Sequence, residues 1–281
     1  MSVKTEFDLL VTSDETQGAL YKTQEGGEFR VNLLDPIEIP VDARNVKLEV
    51  QRSLIWNNFL NIKADINDKI YITGPDKDGI ITTYPITIQQ GSYDLNTLTN
   101  DILSELEIAG GKTEPLSLIS LQADQATGRV EITLNYDTVF IDMRGWNTFH
   151  SLIGLNKEKY EVPVAKRGND TPYSFLASNI ANFSALSYIL IHSDITNKGL
   201  PINGIYNQTI AQVLPDAPSG SLIVFAPIKP LRIDCKNLIG TTLSTFGVWI
   251  TNEKNEPLNT GGENFSVLFK LSYERNLVYG E

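Results

Sequence analysis

The chain has 281 residues, 34 of them acidic and 23 basic, for a formal net charge of −11. With 41% apolar and 20% charged residues it has the composition of a globular protein, and its length suggests about two domains. The acidic balance argues against gripping a phosphate backbone or an anionic membrane; two His and one Cys argue against a zinc site and exclude an internal disulfide.

No basic region followed by an apolar one opens the chain at Met1–Asp8, so no signal peptide is expected. No apolar run reaches the roughly 18–20 residues that cross a bilayer, so membrane insertion is not expected either. Residues 11–28 are polar and weakly patterned, and 1–28 is read as an N-terminal arm; trimming residues 1–20 is expected to leave a folded chain. From there the dominant period is two, the signature of half-buried strands. Val46, Leu48 and Val50 alternate with Lys47, Glu49 and Gln51; Val130, Ile132, Leu134 and Tyr136 with Glu131, Thr133 and Asn135; Leu231, Ile233 and Cys235 with Arg232, Asp234 and Lys236. Phe265, Val267, Phe269, Leu271 and Tyr273 form the cleanest run. Further strands are expected over 29–34, 69–73, 80–90, 117–123, 186–193, 221–226 and 245–251, with turns at Gly26-Gly27, Asp76–Gly79, Asn203-Gly204, Pro218–Gly220 and Gly261-Gly262.

Helix is scarce. Leu95, Leu98, Ile102 and Leu106 predict one over 95–107, capped by Asp94 and stopped at Gly110-Gly111. A single-turn helix is expected after Trp146, capped by Asn147 and ended by Gly154. Many short strands with frequent turns indicate a sandwich or a barrel, all-β dominated. The mixed stretch 80–165 reads as a small inserted α+β domain, flanked by 29–79 and 166–281 as one β domain; two consecutive domains with a boundary near 165 is the alternative. The polar segment Ala165–Pro172 reads as a linker.

No constellation carries catalysis. His192 and Asp194 lie two apart, with Ser184 or Ser187 upstream, but no Gly-X-Ser-X-Gly elbow presents a serine, so His192 reads as structural. His150 reads as packing or surface. Asp76-Lys77-Asp78-Gly79 starts like a calcium loop, yet the closing position is Thr87, so it reads as a turn. Cys235 reads as a buried apolar side chain. Trp56-Asn57-Asn58-Phe59, with no interleaved basic residue, reads as a strand end that packs across a sheet or against a neighbouring subunit. Catalytic, cofactor-binding and metal-ligating residues are accordingly none, and the chain is read as not an enzyme.

Several segments resemble the penton and minor capsid proteins of virophages and polinton-like icosahedral viruses. Phe29–Pro40, continuing through Lys47–Val50 to Trp56–Ile62, resembles the opening of a capsid jelly roll. Tyr84–Leu98 resembles a strand–turn–helix of those proteins, and Phe149–Leu155 the turn that follows it, with Leu155 where an aromatic is usual. Ile189–Ile195, Asn203-Gly204 and Asn264–Leu271 resemble the next strand, its turn and the last strand. The resemblance implies a jelly-roll β-sandwich with an inserted domain and a structural role in the virion. Its copies would form a homopentamer at each vertex of the shell, beside a neighbouring major capsid protein, with no direct nucleic-acid contact. A major capsid or spike subunit of a double-jelly-roll virus, and a carbohydrate-binding or hydrolytic β domain, are the alternative readings; sixteen strands in two like halves would mark the first of these.

Overall fold

The computed structural model describes residues 2–112, 116–168, 171–202 and 205–276. The chain divides into two compact units, Met1–Phe59 with Leu186–Glu281, and Leu60–Ala185. In chain order the first unit supplies β1 (Ser2–Thr12), β2 (Ala19–Lys22), β3 (Glu28–Glu38) and β4 (Arg44–Trp56). The second supplies β5 (Lys69–Pro75), β6 (Ile81–Thr87), α1 (Leu95–Ile108), β7 (Ile119–Asp124), β8 (Arg129–Leu134), β9 (Phe140–Asp142), β10 (Lys159–Glu161) and β11 (Tyr173–Leu176). The chain then returns to the first unit with β12 (Ile189–Ser193), β13 (Pro201–Ile202), β14 (Ile205–Tyr206), β15 (Thr209–Val213), β16 (Leu222–Phe225), β17 (Ile233–Asp234), β18 (Thr242–Thr251) and β19 (Ser266–Asn276).

The first unit is a sandwich of two antiparallel sheets, ordered β1-β19-β4-β16 and β15-β12-β18-β3-β2, with β17 pairing β4 beside β16. Setting aside short β2 and β17 and the β13–β14 pair, the remaining strands rank first to eighth as β1, β3, β4, β12, β15, β16, β18 and β19. Their orders are then 1-8-3-6 and 5-4-7-2, the double Greek key of a jelly roll. The period-two runs supply its core. Val46, Leu48, Val50 and Ile55 of β4, and Val267, Phe269 and Leu271 of β19, face Phe29, Ile191, Phe246, Val248 and Ile250 of the other sheet. Two edge-on aromatic pairs bridge the sheets, Phe29 with Phe265 at 5.0 Å and Phe246 with Phe269 at 6.1 Å.

The N-terminal segment is not an arm. Ser2–Thr12 pairs along its whole length with β19, from Ser2 opposite Asn276 to Thr12 opposite Ser266, and is the first jelly-roll strand. Phe29–Pro40 is therefore the second strand, not the opening one. Lys4, Glu6 and Asp8 alternate with Thr5, Phe7, Leu9 and Val11, so the strand period extends into this region. The polar stretch after it holds a 3₁₀ turn at Glu15–Gln17, capped by Asp14, and then β2.

The insertion leaves the jelly roll between β4 and β12, at 59/60 and 185/186, wider than 80–165. The reason is pairing: β5 bonds to β6 and β9, and β11 bonds to β8. Tyr173–Leu176 is thus a strand of the insertion, and Ala165–Pro172 is no linker between domains. The Asn203-Gly204 turn lies outside the described residues.

The inserted unit holds sheets β10-β9-β5-β6 and β11-β8-β7 with one helix. This is no second copy of the jelly roll, so the double-jelly-roll alternative is not what the chain builds. Helix α1 starts where expected: Thr97 N–H donates to Asp94 Oδ1 at 2.8 Å while Asp94 N–H donates to Thr97 Oγ1 at 3.0 Å. It buries Leu98, Ile102 and Leu106, and Gly110 follows it at φ +88°. The segment after Trp146 differs from expectation. It is a pair of tight turns rather than a helix, closed by Leu152 N–H to Phe149 O and Leu155 N–H to His150 O. Phe149, Leu152 and Ile153 are nevertheless buried. Gly154, at φ +77°, allows the reversal and the close passage of the chain at Asn179, whose carbonyl oxygen would stand 2.2 Å from an added Cβ.

Candidate assembly surfaces

The stacking order of the jelly roll gives it two different flanks. β1 lies at the same side as β2 and β3; β16 and β17 lie at the same side as β15. On the β1–β3 flank a groove of about 620 Å³ is lined by Leu10, Leu33, Leu34 and Leu54, with Asp35, Gln17 and Arg52 at its walls. Leu10 is 64% and Leu34 97% exposed. Asp8, Glu15 and Asp35 on this flank form no ion pair among the described residues, whereas Glu6 is held by Lys4 and Lys270.

On the β15–β16 flank two grooves, of about 610 and 260 Å³, share Leu200. Lys198, Arg232 and Lys236 line the larger, and Lys229, Ile210, Phe225 and Leu231 the smaller. Arg232 is bound to Glu49 at 2.9 Å, and Lys47 takes Asp234, but Lys198, Lys229 and Lys236 form no ion pair among the described residues. Ile228, in the loop after β16, is 97% exposed. An apolar strip crosses the outer face of the first sheet: Leu10 lies opposite Leu268, Leu54 opposite Val224, and Trp56 opposite Leu222.

The residues weighed for chemistry serve the fold. His192 is buried in β12, its ring stacked on Trp249 at 5.4 Å. Its Nε2 lies 2.8 Å from Thr251 Oγ1 and its Nδ1 3.1 Å from Thr209 Oγ1, so both nitrogens are engaged by hydroxyls and neither meets a serine. Burial pushes the imidazole down to about 4. Asp194 accepts from Gly247 N–H at 2.7 Å and from Arg30. Burial pushes the Cys235 thiol up to about 12, which keeps it protonated. Asp76 is a turn carboxylate, accepting from the N–H groups of Asp78 and Ile80, both at 2.8 Å. His150 is half-buried, with Nδ1 3.1 Å from Thr148 Oγ1. Asn57 and Asn58 tie the end of β4 to the carbonyls of Ala217 and Thr260, while Trp56 stays 40% exposed and Phe59 is buried. Among the described residues no three His, Cys, Asp or Glu side chains gather as metal ligands, and no helix is long and apolar enough to cross a membrane.

The architecture is a single jelly roll interrupted between its third and fourth strands by a small α+β unit. Among solved structures it is similar to the mavirus penton protein, with a TM-score of 0.50 over 95% of this chain and 99% of that one, at 12% identity. This likeness is one of fold. No protein-family model matches the sequence, and no curated protein does.

The paired flanks are not legible in the sequence. Leu10 sits in an alternating segment that runs straight into the weakly patterned stretch 11–28. Lys198, Lys229 and Lys236 are spread over loops, and only the strand order brings them to one side.

Proposed function

We propose that this chain is a structural capsid protein, a penton that closes the vertices of an icosahedral shell as a homopentamer beside a major capsid protein. Its place would be the virion, and its work assembly rather than catalysis. The observation that supports this best is topological. The likeness to the mavirus penton protein runs through nearly the full length of both chains, jelly roll and insertion together, not through a shared sandwich alone. Two unlike flanks on one sandwich also suit a ring, because a five-fold junction uses a different face on each partner. Native mass spectrometry of the purified protein, alone and with its shell protein, tests the proposal. The expected species is a pentamer, and electron micrographs of particles should place it at the vertices. A chain that stays monomeric in both settings and is absent from particles would refute it.

A further inference from the structure

We infer that the ring is closed by charge-matched side-to-side contacts between copies of this chain: the flank carrying Lys198, Lys229 and Lys236 seats on the next copy's flank carrying Asp8, Glu15 and Asp35. This rests on the penton reading and adds the surfaces to it. Three observations carry the choice of a second copy as the occupant. First, the unpaired ammonium groups line the grooves of one flank, while on the opposite flank Asp35 lines the groove and Asp8 on β1 and Glu15 in the turn after it stand outside that lining. Second, each flank pairs its charges with exposed apolar side chains: Ile228 and Leu231 on the basic side, Leu10 and Leu34 on the acidic side. A projecting Ile228 beside one flank and an open groove at Leu10 on the other are what a knob and its seat require. Third, the signs select the symmetry. A two-fold contact would set acid against acid or base against base, whereas unlike flanks attract only head to tail. Within the groove itself Asp35 and Arg52 balance, and Lys270 stands across from Asp8 on the neighbouring strand; the acidic sign of this flank comes from the run of β1 to β3, where residues 2–38 hold eight carboxylates against three cations.

Charge exchange tests this. The set K198E/K229E/K236E and the set D8K/E15K/D35K each make both flanks of a copy alike, so neither should form the ring. Each junction is expected to weaken about 100-fold as repulsion replaces attraction. The chain carrying all six exchanges has unlike flanks again and should recover the pentamer. Mixing the two one-sided sets favours alternation, which an odd ring cannot complete, so open or even-numbered species are expected and pentamers are not. Circular dichroism checks that each variant is folded. As a measurement free of any variant, the wild-type pentamer should dissociate more readily as salt rises from about 0.1 to 1 M, because the reach of charge–charge attraction shrinks from about 10 to about 3 Å. One-sided sets that still form pentamers, or a folded six-exchange chain that does not, would overturn the inference and leave the penton reading standing. So would a pentamer indifferent to salt. A wild-type chain that never forms pentamers, alone or with its shell protein, overturns both.

Discussion

Acidification should unlock the jelly roll at His192. The imidazole is buried between β15 and β18, bonded at both nitrogens by neutral hydroxyls, and its pKa lies at about 4 rather than 6.5. The unfolded chain therefore takes up the proton first. The stability this residue contributes is complete above about pH 6.5 and is lost as pH falls toward about 4. The full difference, at about 1.4 kcal/mol per unit of pKa, is on the order of 3 kcal/mol. Between pH 7 and pH 5 the linkage gives a loss of about 2 kcal/mol, while most carboxylates are still ionised at pH 5. Urea unfolding followed by tryptophan fluorescence at the two pH values, for wild type and His192→Gln, isolates it. Trp249 stacks on the ring and reports on this sandwich. The wild type should lose about 2 kcal/mol more than the variant. Equal losses in both proteins would refute the assignment of acid sensitivity to this histidine.

The first strand makes the second prediction. Deleting residues 1–12 removes β1, and with it the partial burial of Phe7 and Leu9 and the burial of Val11, at about 1.5–3 kcal/mol for each side chain fully covered. The total is comparable to the usual net stability of a domain, so the truncated chain should lose cooperative melting by circular dichroism rather than merely assemble poorly. Gly154→Ala forces a side chain into the left-handed region and against the Asn179 carbonyl, and should cost about 2–4 kcal/mol, read as a lower thermal midpoint. Cys235 should react with a thiol reagent at least roughly 100-fold more slowly in the native protein than in denaturant, where its single thiol is freed.

How much of this was legible depended on whether a feature is local. The strand runs of β4, β8 and β19, and helix α1 with its Asp94 cap, are written in adjacent residues and appear nearly as expected. So does the burial of Phe149, Leu152 and Ile153, even though turns replace the expected helix. Local pattern does not carry strand pairing. β5 looks like any half-buried strand, and nothing within it says that it bonds to β9, some 70 residues later, rather than to the jelly roll. β11, with Tyr173 and Phe175 alternating with Ser174 and Leu176, is short and weakly patterned, and its partner β8 alone fixes its unit. The arm reading of 1–28 rests on the weak pattern of 11–28, whereas the alternation of Ser2–Thr12 marks a strand.

The same logic explains why assembly surfaces are harder to see than a core. A core announces itself by period, because burial selects apolar residues at every second position. A flank is composed of whatever loops and edges the topology brings side by side. β1 shows how the two meet. As an edge strand it carries backbone groups that could pair with any passing strand, yet Lys4, Glu6 and Asp8 project from the outer face of its central part. Charges of this kind oppose strand-to-strand addition. Contact at this side is then left to side chains, the groove at Leu10 and the carboxylates around it, which can match a partner's flank and reject a copy of their own. An edge that refuses backbone pairing but offers a signed, partly apolar side is suited to a ring that must close at a fixed number rather than grow as a fibre.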